Sequence, residues 1–244
     1  MDRYTIRPVA YVRSDYNEKF GIPKQCGLVN ELEQAVVFEP EFCNVDCLRE
    51  IEDFEYLWII WGFSRSSRDT ETGDPVWSPT VRPPRLGGNR RVGVWASRSP
   101  YRPNALGLSS VKLLRVELNG RAVRSDEMSG PAEGELAIIV SGGDMMNGTP
   151  VYDIKPYLPY SDIHTDATDG YSKGKSDPCL DVIFPDELIN RIPEEKRAGL
   201  IRILSLDPRD AYEKKPGHTY GFSFAEWDIR FRVDGQILTV TEVI

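Results

Sequence analysis

The chain has 244 residues, 40% of them hydrophobic and 28% charged, with a formal net charge of −8. That length can bury one large core or two modest ones, and the composition is that of an ordinary globular protein, which excludes disordered and fibrous classes. The longest apolar run, Leu57 to Phe63, is too short for a membrane-spanning helix. No signal-peptide pattern follows Met1, so a cytoplasmic location is expected. Cys26, Cys43, Cys47 and Cys179 are irregularly spaced, as free thiols in a reducing compartment are. With His164 and His218 the only histidines, no metal site is expected.

Tyr4 to Val12 alternates loosely and reads as a first strand, followed by a Gly- and Pro-fixed loop from Phe20 to Gly27. Gln34 to Glu39 reads as a second strand. Asn44 then caps a short helix with Val45, Leu48 and Ile51 on one face. Phe54 to Phe63 has the aromatic, two-sided apolar character of a central strand, and Ser64 to Thr80 reads as a polar surface loop. Arg91 to Ser97 and Gly107 to Leu118 are strand-like, and Asn119-Gly120 is a hairpin signal leading to Arg121–Ser125. Glu135 to Ser141 is a further strand. Many short strands with turn signals predict a mainly β, antiparallel barrel or sandwich up to about Ile154, and the lack of strand–helix alternation argues against a Rossmann-type domain.

Ser161 to Pro178 has a linker's composition, and its Asp162, His164, Asp166 and Asp169 read as solvated rather than metal-binding. Pro185 and Pro193, each followed by acids, open short helices, with Leu200, Ile203 and Leu204 as the apolar stripe of the second. Tyr220–Arg232 and Gln236–Val243 pair around Asp234-Gly235. The expected organisation is a β domain over 1–162, a linker over 163–184 and a small α+β domain over 185–244.

Two stretches carry chemistry. Pro75 to Val116 holds Arg82, Arg85, Arg90, Arg91, Arg98, Arg102, Lys112 and Arg115 and no acid, a charge separation that points to an anionic partner or to a solvated basic face. Ser141 to Pro150 is a loop whose glycines either let a ligand approach the backbone or serve a sharp connection.

The motifs Gly21-Ile22-Pro23-Lys24-Gln25, Arg82-Pro83-Pro84-Arg85, Gly93 to Pro100, Arg102-Pro103-Asn104-Ala105-Leu106-Gly107-Leu108-Ser109, Asn147 to Tyr157 and Leu206-Asp207-Pro208-Arg209 occur in order along the chain. In these motifs the chain resembles the TrmO (TsaA-like) family. The resemblance implies an antiparallel β-barrel catalytic domain with a small α+β C-terminal domain, a homodimer, and S-adenosylmethionine-dependent methylation of N6 of threonylcarbamoyl-adenosine in the tRNA anticodon stem-loop. It further implies cofactor contacts from Gln25, Cys26, Gly27, Phe63, Ser64, Arg65, Arg98, Leu108 and the run Asp144, Met145, Met146, Asn147, Gly148 and Thr149. Arg82, Arg85, Arg90, Arg91, Arg102 and Lys155 are then expected to face RNA. Asp144 is the first candidate to take the proton of the nucleophile and Tyr157 the second. Ser64 and Asn147 depart from the His and Asp common in the family. The alternatives are a non-enzymatic RNA-binding barrel and a cofactor-sensing protein.

Overall fold

A computed structural model describes residues 4–64, 76–83, 86, 90–173, 179–209, 215 and 217–244. In chain order the strands are β1 (Ala10–Arg13), β2 (Glu33–Phe38), β3 (Tyr56–Gly62), β4 (Thr80–Val81), β5 (Val92–Gly93), β6 (Leu106–Leu118) and β7 (Arg121–Val123). They continue with β8 (Leu136–Ser141), β9 (Pro150–Pro156), β10 (Asp181–Ile183), β11 (Tyr220–Phe224), β12 (Trp227–Asp234) and β13 (Ile237–Val243). The helices are α1 (Pro159–Asp162), α2 (Asp186–Ile189) and α3 (Glu194–Ser205). Two compact units result: Met1–Asp15, Lys24–Ser64 and Leu106–Asp162 form one, and Tyr16–Pro23, Arg65–Ala105 and Ile163–Ile244 the other.

The first unit is a mainly antiparallel sheet in the order β3-β9-β1-β2-β8-β6, in which β6 also pairs with β3 and so closes a barrel-like ring. Alternation along the strands turns Val12, Val36, Ile59, Val111, Ile138 and Val151 into one buried core. β6 is long because its first half pairs with β3 and its second half with β8, with a register shift between Leu113 and Arg115. Every neighbouring pair in the ring is antiparallel. The C-terminal ends of β1, β3 and β8 therefore share one rim with the N-terminal ends of β2, β6 and β9. That rim carries the loop before β2, the residues after β3 and the β8–β9 connection.

Several local expectations change. The first strand begins at Ala10 rather than Tyr4. The strand expected from Arg91 to Ser97 is only Val92–Gly93, because Val94–Ala96 closes into a 3-10 turn. Asn44 does cap a turn, accepting from the Asp46 N–H, but the turn is 3-10 and Ile51 starts a separate one. β9 was not expected as a strand at all.

In the second unit the sheet order is β10-β13-β12-β11, with β10 parallel to β13 and lying inside the linker expected over 163–184. Tyr220–Arg232 is two strands, turning at Ala225, where φ is +50°. Leu200, Ile203 and Leu204 of α3 are buried as expected, and Pro185 and Pro193 sit at the helix N-caps. Tyr16 bridges to Phe224, and Asn17 and Glu18 hydrogen-bond around Ser223, which ties the Tyr16–Pro23 segment to β11. Among the described residues no helix is long and apolar enough to cross a membrane.

Candidate active site

The β8–β9 connection is folded into the rim of the ring. Met145 is fully buried and belongs to the ring's core. Its carbonyl accepts from Gln34 Nε2 at 2.9 Å and from Ser14 Oγ at 3.0 Å, so β2 and the end of β1 both hold the loop. Gly148 N–H donates to the Val12 carbonyl and Val12 N–H to the Thr149 carbonyl. The glycines of the loop are explained largely by packing. Gly142 has φ +76°, and a Cβ there would lie 2.6 Å from Asn30 Oδ1. A Cβ on Gly143 would overlap Gln34 Oε1, a buried oxygen with no hydrogen-bond partner. A Cβ on Gly148 would meet nothing, and the residue is exposed.

Next to this anchor stands Asp144, half-buried, with Oδ1 2.5 Å from Ser109 Oγ. Ser109 is completely buried and also 2.9 Å from Trp61 Nε1. An indole nitrogen can only donate, so the Ser109 oxygen accepts from Trp61 and its single proton points at Asp144. The direction of the chain is thereby fixed, with Asp144 Oδ1 accepting from Ser109. Trp61 packs edge-on against Phe63, with ring centroids 4.4 Å apart. Neither Trp61 nor Ser109 was singled out from the sequence, although Ser109 closes the Arg102–Ser109 motif.

The expected residues separate into groups. Gln25, Cys26 and Gly27 lie in the loop before β2, where Gly27 N–H donates to the Gly142 carbonyl at 2.7 Å and Asn30 Nδ2 to the Gly27 carbonyl. With Phe63, Ser64 and Asp144 to Thr149 they share the one rim. Leu108, beside inward-facing Ser109, points outward and is 55% exposed. Tyr157 does not join Asp144. It follows the end of β9 at the opposite rim, and its ring packs on Tyr56 and Trp58 of the outer face. Lys155 is on that outer face too, paired with Asp153 at 2.8 Å. No described trio of His, Cys, Asp or Glu is arranged to hold a metal ion.

In the second unit Arg82, Arg90, Arg91 and Arg98 are exposed and Arg102 is half-buried. Arg91 Nη1 donates to Thr80 Oγ1 at 2.7 Å, and Arg102 Nη1 to the Ser97 and Ser99 carbonyls. Arg65 and Arg85 lie outside the described residues. Two cations of the basic stretch are neutralised within the first unit. Lys112 pairs with Glu55, and Arg115 grips Glu33 with two hydrogen bonds and Glu117 with a third. Hydrogen bonding from Arg115, partly opposed by burial, holds the Glu33 carboxyl below its ordinary value of 4.5.

Comparison with known proteins adds a family to this geometry. Residues 11–163 match the tRNA-methyltransferase O N-terminal domain and residues 177–244 the TrmO C-terminal domain. A relative from Escherichia coli named tRNA (adenine(37)-N6)-methyltransferase is 35% identical over 242 residues, covering 96% of this chain and 94% of its own. A Pseudomonas aeruginosa protein, RcsF, provisionally described as an S-adenosylmethionine-dependent methyltransferase, is 34% identical over 236 residues, covering 93% and 92%. The crystal structure of TrmO from Pseudomonas aeruginosa superposes with a TM-score of 0.72 at 27% identity over the whole of both chains.

Proposed function

The chain belongs to the TrmO family, and from that we infer that it is an S-adenosylmethionine-dependent tRNA methyltransferase acting on N6 of adenine 37, with the threonylcarbamoyl form of that nucleoside as acceptor. The observation that carries this reading is the buried Trp61–Ser109–Asp144 chain at a rim where the backbone of two loops is pinned together. A carboxylate held in a fixed orientation is what a weak exocyclic nitrogen nucleophile requires.

The residues present suit the cofactor. S-adenosylmethionine supplies, when bound, a methyl group on a cationic sulfur that an amine can displace in line. A carboxylate, an aromatic face at Phe63 and backbone carbonyls are appropriate neighbours for such a cation. Gln25, Cys26, Gly27 and the Asp144–Thr149 loop would hold it, the exposed backbone at Gly27 and Gly148 leaving room for close approach.

Asp144 then acts on the acceptor. Ser109 hydrogen-bonds Oδ1 and orients the side chain, and the carboxylate takes the N6 proton as the nitrogen attacks. Ser14 and Gln34, through the Met145 carbonyl, keep the loop from following the carboxylate away from its place. A homodimer is part of the same reading.

The purified protein should be given labelled S-adenosylmethionine and tRNA with or without threonylcarbamoylation at adenosine 37, and the nucleosides weighed by mass spectrometry. Label on the threonylcarbamoyl nucleoside alone supports the full reading, and label on unmodified adenosine corrects the acceptor. Binding of S-adenosylhomocysteine without transfer to either tRNA would overturn the activity.

A further inference from the structure

We propose that the surface carrying Trp77, Trp95 and Tyr101 binds unpaired RNA bases, with Trp95 as the stacking platform. Three aromatic side chains of this short segment stand in solvent: Trp95 is 72% exposed, Trp77 53% and Tyr101 44%. Large aromatic groups left uncovered together mark a contact surface rather than ordinary surface composition. Local pairing gathers them. Thr80 faces Gly93 and Val81 faces Val92, Val94 N–H donates to the Pro79 carbonyl at 3.0 Å, and Ser78 N–H to the Tyr101 carbonyl at 3.2 Å.

The platform is braced before any ligand arrives. Arg102 Cζ lies 5.7 Å from the Trp95 ring centroid, and its guanidinium is held by the Ser97 and Ser99 carbonyls. A cation on one side of the indole leaves the other side for a flat partner, and the fixed guanidinium reduces the entropy lost on binding. Arg82, Arg90 and Arg98 are exposed in the same segment, and the sequence from Val76 to Ala105 contains no Asp or Glu.

This combination selects the partner. An apolar peptide would make no use of the arginines, whereas a polyanion of stacked rings uses both the cations and the aromatic faces. Bases inside a duplex cannot reach an aromatic platform, so the partner is single-stranded RNA or a loop. On the reading above, the loop belongs to tRNA.

Trp95 is exposed enough for Trp95→Ala, Trp95→Leu and Trp95→Phe to fold, and each should be tested for binding to a tRNA anticodon hairpin and to a fully paired duplex of equal length. Trp95→Ala and Trp95→Leu should weaken hairpin binding roughly 5- to 150-fold, Trp95→Phe should restore most of it, and duplex binding should stay unchanged. Calorimetry with S-adenosylhomocysteine should give wild-type affinity for all three. Unaltered hairpin affinity in Trp95→Ala, or an equal loss on hairpin and duplex, overturns the proposal while leaving the methyltransferase reading intact. A Trp95-dependent affinity in a protein that methylates no tRNA would sustain the surface and overturn the activity instead.

Discussion

Gly107 lies directly opposite Trp61 in the β3–β6 ladder, with the indole so close above it that a Cβ on the glycine would fall within the ring's contact distance. The same indole orients Ser109, two residues along β6, through its Nε1 hydrogen bond. A missing methyl group is thus a condition for the geometry of the candidate active site.

Gly107→Ala should therefore push Trp61 out of place. A stability loss of about 1–3 kcal/mol is expected from overpacking, together with slower methyl transfer because Ser109 loses its fixed direction. Trp61→Phe combined with Gly107→Ala should recover stability without recovering the rate. Urea denaturation and single-turnover transfer separate the two effects, and a double variant with wild-type rate would remove the indole from the argument.

Asp144 and Ser109 should differ in the size of their effects. Asp144→Asn keeps the shape but cannot take a proton, and transfer at saturating cofactor should slow about 100-fold or more. Ser109→Ala keeps the carboxylate but leaves the buried Trp61 N–H without its acceptor, costing about 1–3 kcal/mol of stability, with a smaller loss of rate. Transfer at the wild-type rate in Asp144→Asn would assign the residue a purely structural place in the turn.

Arg209 and Asp207 form a nearly buried pair in the second unit, with hydrogen bonds of 2.7 and 3.0 Å between Nε and Oδ1 and between Nη2 and Oδ2. Asp207 also has φ +53°, which Asn tolerates. Asp207→Asn should thus leave the backbone intact while weakening the charge pairing, destabilising the protein by about 2–3 kcal/mol. Arg209→Lys should be destabilising as well, since an ammonium cannot reproduce the fork. Thermal melts in which neither variant moves would contradict this account of the Leu206–Arg209 motif.

Glu33, held below its ordinary 4.5 by Arg115, gives a dependence on acid. Its contribution is complete above 4.5 and disappears as pH falls through the lowered folded value. Both side chains are well exposed, 53% for Glu33 and 36% for Arg115, so screening keeps the contribution to about 0.5–1 kcal/mol. Glu33→Gln should lower the urea midpoint at pH 7, and the gap to wild type should narrow as pH falls below 4.5. A gap that persists unchanged at pH 3 would mean the pair's electrostatics are not its cause.

How much of this was legible in the sequence depended on whether the determinant was local. Asn119-Gly120 turns β6 into β7 with φ values of +52° and +71°, the left-handed pair its composition signals. Gly235, in the turn between β12 and β13, was equally readable. The turn at Ala225 was not, because a non-glycine residue at φ +50° is imposed by pairing between β11 and β12. β9 was hidden by Pro150 and Pro156, which are tolerated at the first and last positions of the strand. Asp144 stood out through the glycine-rich loop that holds it. Trp61, Ser109 and Gln34 did not, since what they do depends on cross-strand neighbours that no stretch of sequence reveals.

Gly62 and Leu106 are partners in the ladder, yet the chain runs through residues 63–105 between them. Closing such an excursion costs entropy that grows only logarithmically with length, about 0.6 kcal/mol for each doubling. Insertions, deletions and exchanges within it are thus cheap for the ring, whose own strands need only meet at those two residues. Selection can remodel the arginine- and tryptophan-bearing segment while Asp144 and its supports remain untouched.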